Sequence, residues 1–193
     1  GLSKRLLERA YESDLETATA AMVSTALNGG RSLVNYCGHG SMTSWGTTGF
    51  SNANVSALQN DWMLPFIFSV ACVNGQFDAG TCFAEAWLRS VRGTNPIGAI
   101  GTYMSSINQS WNPPMCAEDA CDDLFVNGQA FTYGGLCLNG SCQMMDEYGP
   151  TEGGDMFLTW HLFGDPSLLV RTKVPVAMTV QHDVDSLLKI IIE

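Results

Sequence analysis

A histidine set between two glycines, Gly38-His39-Gly40, and a cysteine closing an apolar run, Cys72, are the residues of this chain best suited to covalent chemistry. A thiol attacks as its thiolate, and an imidazole beside it can take the proton and later return it to an amine leaving group. The two need no sequence adjacency, only delivery to one place. Glycine on either side of His39 permits close backbone approach, so the Gly40 N–H could donate to an oxyanion, with the Cys72 N–H as a second donor. Taken singly, a cysteine after a strand is most often a packed thiol, and a histidine in a glycine-rich loop a turn residue. Their joint placement carries the reading.

That placement depends on the elements around them. Residues 3–28 read as mainly helix, with Ser3 able to cap it and Gly29-Gly30 to stop it. A short strand at 32–36 runs into Cys37-Gly38-His39-Gly40. A polar loop over 41–51 leads to a short helix at 54–59. Residues 64–71 are almost unbroken apolar, which fits a central strand buried on both faces, and they end at Cys72. A helix at 81–91 offers Phe83, Ala86, Trp87 and Val91 as its inner face. A third strand at 96–103 delivers the segment 105–111. Further helices fit 115–125, 136–148 and 155–162, a strand fits 168–170, and a new β pattern begins after Pro175. His161 reads as a helix packing residue, His182 as a surface residue, and Gly164-Asp165-Pro166-Ser167 as a turn. Strands separated by helices imply right-handed crossovers and a mainly parallel α/β sheet. Chemistry then sits beyond the carboxyl ends of the strands, where His39, Cys72 and the 108–111 loop all fall. Pro175 divides the chain into residues 1–174 and 175–193.

Composition sets the outer bounds. Hydrophobic residues make up 46% and charged residues 15%, ample for a buried core. Nine basic against nineteen acidic residues give a formal charge of −10, which excludes a phosphate-tracking nucleic-acid binder and a polybasic membrane anchor. No run approaches the roughly 20 apolar residues needed to cross a bilayer. Seven cysteines include Cys116/Cys121 and Cys137/Cys142, two C-x4-C pairs. They read as structural or disulfide-bridged thiols; zinc is the competing use, poorly supported without a nearby histidine. The chain opens on Gly1 and closes on Ile190-Ile191-Ile192-Glu193, a β-branched run with one last acid, which reads as a fragment of something longer.

Several motifs together resemble the gingipain family of cysteine peptidases. They are Asn35-Tyr36-Cys37-Gly38-His39-Gly40-Ser41, the run Phe66-Ile67-Phe68-Ser69-Val70-Ala71-Cys72-Val73-Asn74-Gly75, and Thr81-Cys82-Phe83-Ala84-Glu85-Ala86. Ser106-Ile107-Asn108-Gln109-Ser110-Trp111 and the stretch Phe163-Gly164-Asp165-Pro166-Ser167-Leu168 continue the match, which runs from about Ser32 to Val174. The resemblance implies a caspase-like α/β catalytic domain over 1–174 and the start of an immunoglobulin-like domain over 175–193. It implies His39 as catalytic histidine, Cys72 as nucleophile, and the Gly40 and Cys72 amides as the oxyanion hole.

Asn-Gln-Ser-Trp with a Met four residues on resembles the arginine-specific branch. Gln109, Trp111 and Met115 are then walls of the primary specificity pocket, with Val70 near its base. A Trp face and a Met thioether suit a flat guanidinium better than a compact ammonium. In the family the acid at the pocket floor and the carboxylate orienting the histidine lie upstream of the Gly-His segment. Glu8, Glu12, Asp14 and Glu16 read instead as a solvated helix face. Cys37 is a departure, since the family commonly has a small hydroxyl residue there.

The resemblance also implies protein or peptide substrates with a basic residue before the cut, no cofactor for catalysis, and secretion or a place at the bacterial cell surface. Gingipains bind structural calcium, but Glu118-Asp119 and Asp122-Asp123 have no recognisable ligand spacing and read as a charged helix face. Two other functions compete with the peptidase. A sortase-like transpeptidase would use the same dyad with an amine acceptor, and a non-catalytic fragment would serve as a binding module.

Overall fold

Residues 66–70 form the centre of the architecture, and all five are buried, as their unbroken apolar character predicts. In the computed structural model, which describes residues 18–172 and residue 179, this strand splits its side chains between two cores. For clarity the strands in chain order are β1 (Leu33–Cys37), β2 (Gly40–Ser41), β3 (Ser44–Trp45), β4 (Phe50–Ser51), β5 (Phe66–Val70), β6 (Val91–Arg92), β7 (Asn95–Pro96), β8 (Gly101–Ser105) and β9 (Trp160–Gly164). Because strand side chains alternate, Ile67 and Ala71 enter one cluster with Trp45, Phe50, Phe83 and Trp87. Phe66, Phe68 and Val70 enter a second with Tyr103, Tyr133, Leu136 and Trp160. Helices α1 (Ala20–Asn28), α2 (Asn52–Ser56) and α3 (Phe83–Arg89) cover the first face. Helices α4 (Asn112–Val126), α5 (Tyr133–Tyr148) and α6 (Gly154–Thr159) cover the second.

The sheet order is β1-β5-β8-β9, with β1, β5 and β8 parallel. Its register has a direct consequence. Cys37 pairs with Val70, so residues two steps beyond each strand, His39 and Cys72, leave the sheet at the same level.

Several sequence expectations are corrected. The helix expected over 3–28 is not continuous: Ala18 and Thr19 are non-helical, and the Thr19 hydroxyl caps α1 by accepting from the Met22 N–H. Residues 1–17 lie outside the described part. The polar loop at 41–51 is instead a small antiparallel sheet, β2-β3-β4, built over the indole of Trp45. The helix expected over 155–162 stops at Thr159, and Trp160–Gly164 pairs antiparallel with β8. Trp160 is held there by its ring, which stacks on Tyr103 at 4.2 Å and donates to the Tyr103 carbonyl. Residues 168–170 make only an isolated bridge, Thr132 to Leu169. All seven cysteines are free thiols, so of the structural and bridged readings of Cys116, Cys121, Cys137 and Cys142 the bridged one fails. Cys121 and Cys137 are buried between α4 and α5, where small thiols let the helices approach. The β pattern after Pro175, His182 and Glu8, Glu12, Asp14 and Glu16 lie outside the described residues.

Candidate active site

The exit of β5 is a strained, anchored turn. The Gly38 N–H donates to the Val70 carbonyl at 3.1 Å as the last rung between β1 and β5. Cys72 follows, half-buried, and then Val73 with φ of 48°. A β-branched residue in the left-handed region is an outlier that persists only where its surroundings hold it. Here the Val73 N–H donates to the Ile107 carbonyl at 2.9 Å and the Gly75 N–H to the Ser105 carbonyl at 2.8 Å. The turn that presents Cys72 is therefore stapled to the exit of β8. The Cys72 thiol lies 3.7 Å from the Gln109 carbonyl oxygen, which can accept from it.

The histidine side is held by its backbone. The His39 N–H donates to the Thr47 hydroxyl at 3.0 Å, and its carbonyl accepts from the Tyr36 hydroxyl at 2.8 Å and the Gly46 N–H at 2.6 Å. The ring is left exposed, edge-on to Trp111 with centroids 5.5 Å apart. The Gly46-to-His39 bond makes the next pair, Gly40 and Trp45, a non-hydrogen-bonded one. The Gly40 N–H is thereby turned away from β3. On its other side Gly40 abuts Cys72: a Cβ there would lie 2.5 Å from the Cys72 carbonyl oxygen and 3.0 Å from the Cys72 nitrogen. Glycine at 40 is required by space, and it packs the His39 and Cys72 segments peptide against peptide. Tyr36 and Thr47, which organise the histidine loop, were not singled out from sequence; a Tyr on a strand and a Thr in a loop carry no local signal of that role.

A shallow cleft at this place is lined by Gly38, Val70, Ala71, Cys72, Gln109, Ser110 and Trp111, with a volume of about 10 Å³. Val70, Gln109 and Trp111 thus meet Cys72 in the cleft, and Trp111 also meets the His39 ring. Met115 does not line the cleft; it sits one helical turn after Trp111 at the start of α4, half-buried against the second core. Gln109 is buried, its side-chain carbonyl accepting from the Ala71 N–H at 3.1 Å, while its Nε2 has no partner. His161, on β9 and not on a helix, lies 3.0 Å from the Ser106 hydroxyl at the root of the cleft loop, and burial pushes its imidazole toward the neutral form.

Behind the cleft, burial pushes the Cys37 thiol up, and Glu118 and Asp119 push it further, so it is a poor nucleophile. Glu118 on α4 is itself buried, and its Oε1 has no partner. Desolvation first, then Asp122 and Asp119, hold its carboxyl well above the ordinary range. The folded state therefore keeps a proton that the unfolded chain releases, and stability falls as pH rises from the unfolded carboxyl value toward the raised one. Glu118→Gln is expected to remove that slope and to stabilise the chain by about 1–3 kcal/mol at pH 8. Thermal melts of both proteins at pH 5 and pH 8 check this; equal pH dependence would contradict it. Among the described residues no group of three or more His, Cys, Asp or Glu side chains is placed to hold a metal ion.

The sequence profile of Peptidase family C25 matches residues 3–171. The chain belongs to peptidase family C25. Gingipain R2 of Porphyromonas gingivalis is 46% identical over 167 residues, which cover 84% of this chain and 23% of that relative. Gingipain R1 of the same organism is also 46% identical over 167 residues, 17% of its length. The crystal structure of the Arg-specific cysteine proteinase gingipain R superposes with a TM-score of 0.81 at 43% identity, covering 86% of this chain and 39% of that one. A further structure, described only as a protease, has a TM-score of 0.65 at 22% identity, a likeness of fold. The C25 chain here spans less than a quarter of the length of the curated relatives it matches. Its sheet with two helical layers is the caspase-like architecture expected for C25.

Proposed function

We propose that this chain carries the nucleophile and histidine of a C25 cysteine endopeptidase that cuts proteins after a basic residue, arginine above lysine. The observation that supports the reading is the packing of Gly40 against the Cys72 peptide at one pair of parallel strand ends. His39 takes the Cys72 proton as Sγ attacks the scissile carbonyl. The Gly40 and Cys72 N–H groups receive the oxyanion. Collapse gives the thioester, with His39 returning the proton to the departing amine, and water then releases the acid. Gln109 and Trp111 would flank the side chain before the cut, with Val70 beneath and Met115 in the first turn of α4, which Trp111 precedes. Trp111 is 46% exposed beside the cleft, free to stack on a guanidinium. The charge of −10 favours encounter with basic substrates. No helix among the described residues is long and apolar enough to cross a membrane; action outside the cell, as a secreted or surface protein, fits this reading. Catalysis by the dyad needs no cofactor.

Peptidyl chloromethyl ketones ending in Arg, Lys or norleucine, with the modified residue mapped by mass spectrometry in the full-length protein, test this directly. Rapid modification confined to Cys72, fastest with Arg, is the expected result. Slow labelling spread over several of the seven thiols, indifferent to the side chain offered, would overturn it.

A further inference from the structure

Asn74, two residues past the nucleophile, has no exposed surface and lies outside every helix and strand. Its Nδ2 donates to the Ser41 carbonyl at 2.6 Å and to the Ser44 carbonyl at 2.9 Å. Its Oδ1 accepts from the Ser69 hydroxyl at 3.2 Å, and that hydroxyl accepts from the Trp45 indole N–H at 2.9 Å. Two carbonyls on one side and a hydroxyl on the other fix which way the amide faces. Ser41 and Ser44 are the two ends of the β2–β3 turn, and β2 begins at Gly40, directly after His39. A single side chain from the nucleophile's turn therefore grips the hairpin that carries the histidine. The grip is braced from α3: the Ala84 N–H donates to the Asn74 carbonyl at 3.0 Å, and the Phe83 N–H to the Met42 carbonyl at 2.7 Å.

We propose that Asn74 is a positioning residue for the reaction, holding the His39–Gly40 hairpin against the Cys72 turn so that imidazole, thiol and the Gly40 amide keep their mutual geometry. This rests on the dyad proposed above. The chemistry demands an amide. Asp has the same shape but would set a carboxylate oxygen against two carbonyls, and Ala would remove the amide's bond to each of them. Ser69 acts through Asn74 by orienting it.

The test is made in the full-length protein with two readouts, the rate of iodoacetamide modification mapped at Cys72 and the steady-state constants for an arginyl peptide amide. Misplacement of reacting groups by about 1 Å can cost about 10²-fold. Asn74→Asp is therefore expected to slow Cys72 alkylation toward the rate of His39→Ala and to lower kcat by about 10²-fold with KM unchanged. Ser69→Ala should give a smaller fall in the same two quantities. A merely structural role would lower the melting temperature yet leave the folded protein's alkylation rate and kcat alone. Folded Asn74→Asp labelling at the unaltered rate, while His39→Ala is slow, would overturn the clamp and leave the dyad standing. His39→Ala labelling at the unaltered rate would overturn both. If Asn74→Asp does not fold, Ser69→Ala decides, and an unaltered rate and kcat in that variant would overturn the clamp.

Discussion

Cys72→Ala in the full-length protein is expected to lose essentially all peptidase activity, and His39→Ala to come close to it. Without the thiol there is no thioester, so the two-step route is closed and only binding and the amide donors remain. Removing one member of such a pair costs about 10⁴-fold or more in kcat, and removing both costs little beyond that, because the two act as a unit. The Cys72→Ala/His39→Ala double variant should therefore be no worse than the poorer single one. KM should hardly move, since neither group is needed to seat the substrate's side chain. Cys37→Ser is the contrast: that thiol is only two positions from His39, but desolvation and the nearby Asp119 carboxylate push it up, and its loss should leave kcat near that of the unaltered protein. Steady-state hydrolysis of an arginyl peptide amide by the unaltered protein and the four variants reads all of this. Full activity in Cys72→Ala would end the peptidase reading.

The legible part of the structure was what local pattern and strand-end logic can carry. Residues 64–71 are apolar without alternation, and the strand they form is buried on both faces. His39 and Cys72 follow two strands, and parallel register brings them level. What stayed hidden depends on partners distant in sequence. Residues 160–162 look helical from their neighbours but begin the antiparallel edge strand Trp160–Gly164, because β8 offers an open edge and Tyr103 a ring for Trp160 to stack on. The C-x4-C spacing puts the two cysteines of each pair about 140° apart around a helix, so one of each, Cys121 and Cys137, packs between α4 and α5 while Cys116 is half-buried and Cys142 exposed. Asn74 sits in plain view within a motif, yet its role exists only once the β2–β3 turn folds over it. A buried asparagine just after a catalytic turn is a signal that can be read only when burial is known.

Gly40→Ala is expected to lower kcat by about 10²–10³-fold, the usual cost of one oxyanion-hole donor, or about 3–4 kcal/mol. The reason is space and not backbone freedom, since Gly40 is absent from the positive-φ positions. The added methyl would stand 2.5 Å from the Cys72 carbonyl oxygen, 2.9 Å from the Ala71 Cβ and 3.0 Å from the Cys72 nitrogen. Two of these three are backbone atoms, so no side chain can rotate to relieve the clash. The hairpin must lift or the Cys72 turn must recede, and both are tethered: the hairpin through Asn74 and Met42, the turn through Val73 and Gly75 to the exit of β8. Whichever yields, the Gly40 N–H and the Cys72 N–H no longer converge on one oxygen. The substrate's side chain is held elsewhere in the cleft, by Trp111 and Gln109 in our reading, so the loss should fall on kcat while KM stays nearly constant. Gly46→Ala supplies the control, because its methyl would meet the His39 Cβ and carbonyl at 3.3 Å, a contact relieved by a few tenths of an ångström, and its effect on kcat should be far smaller. If Gly40→Ala turns over substrate at the unaltered rate, the close approach of hairpin and nucleophile is not what builds the oxyanion hole.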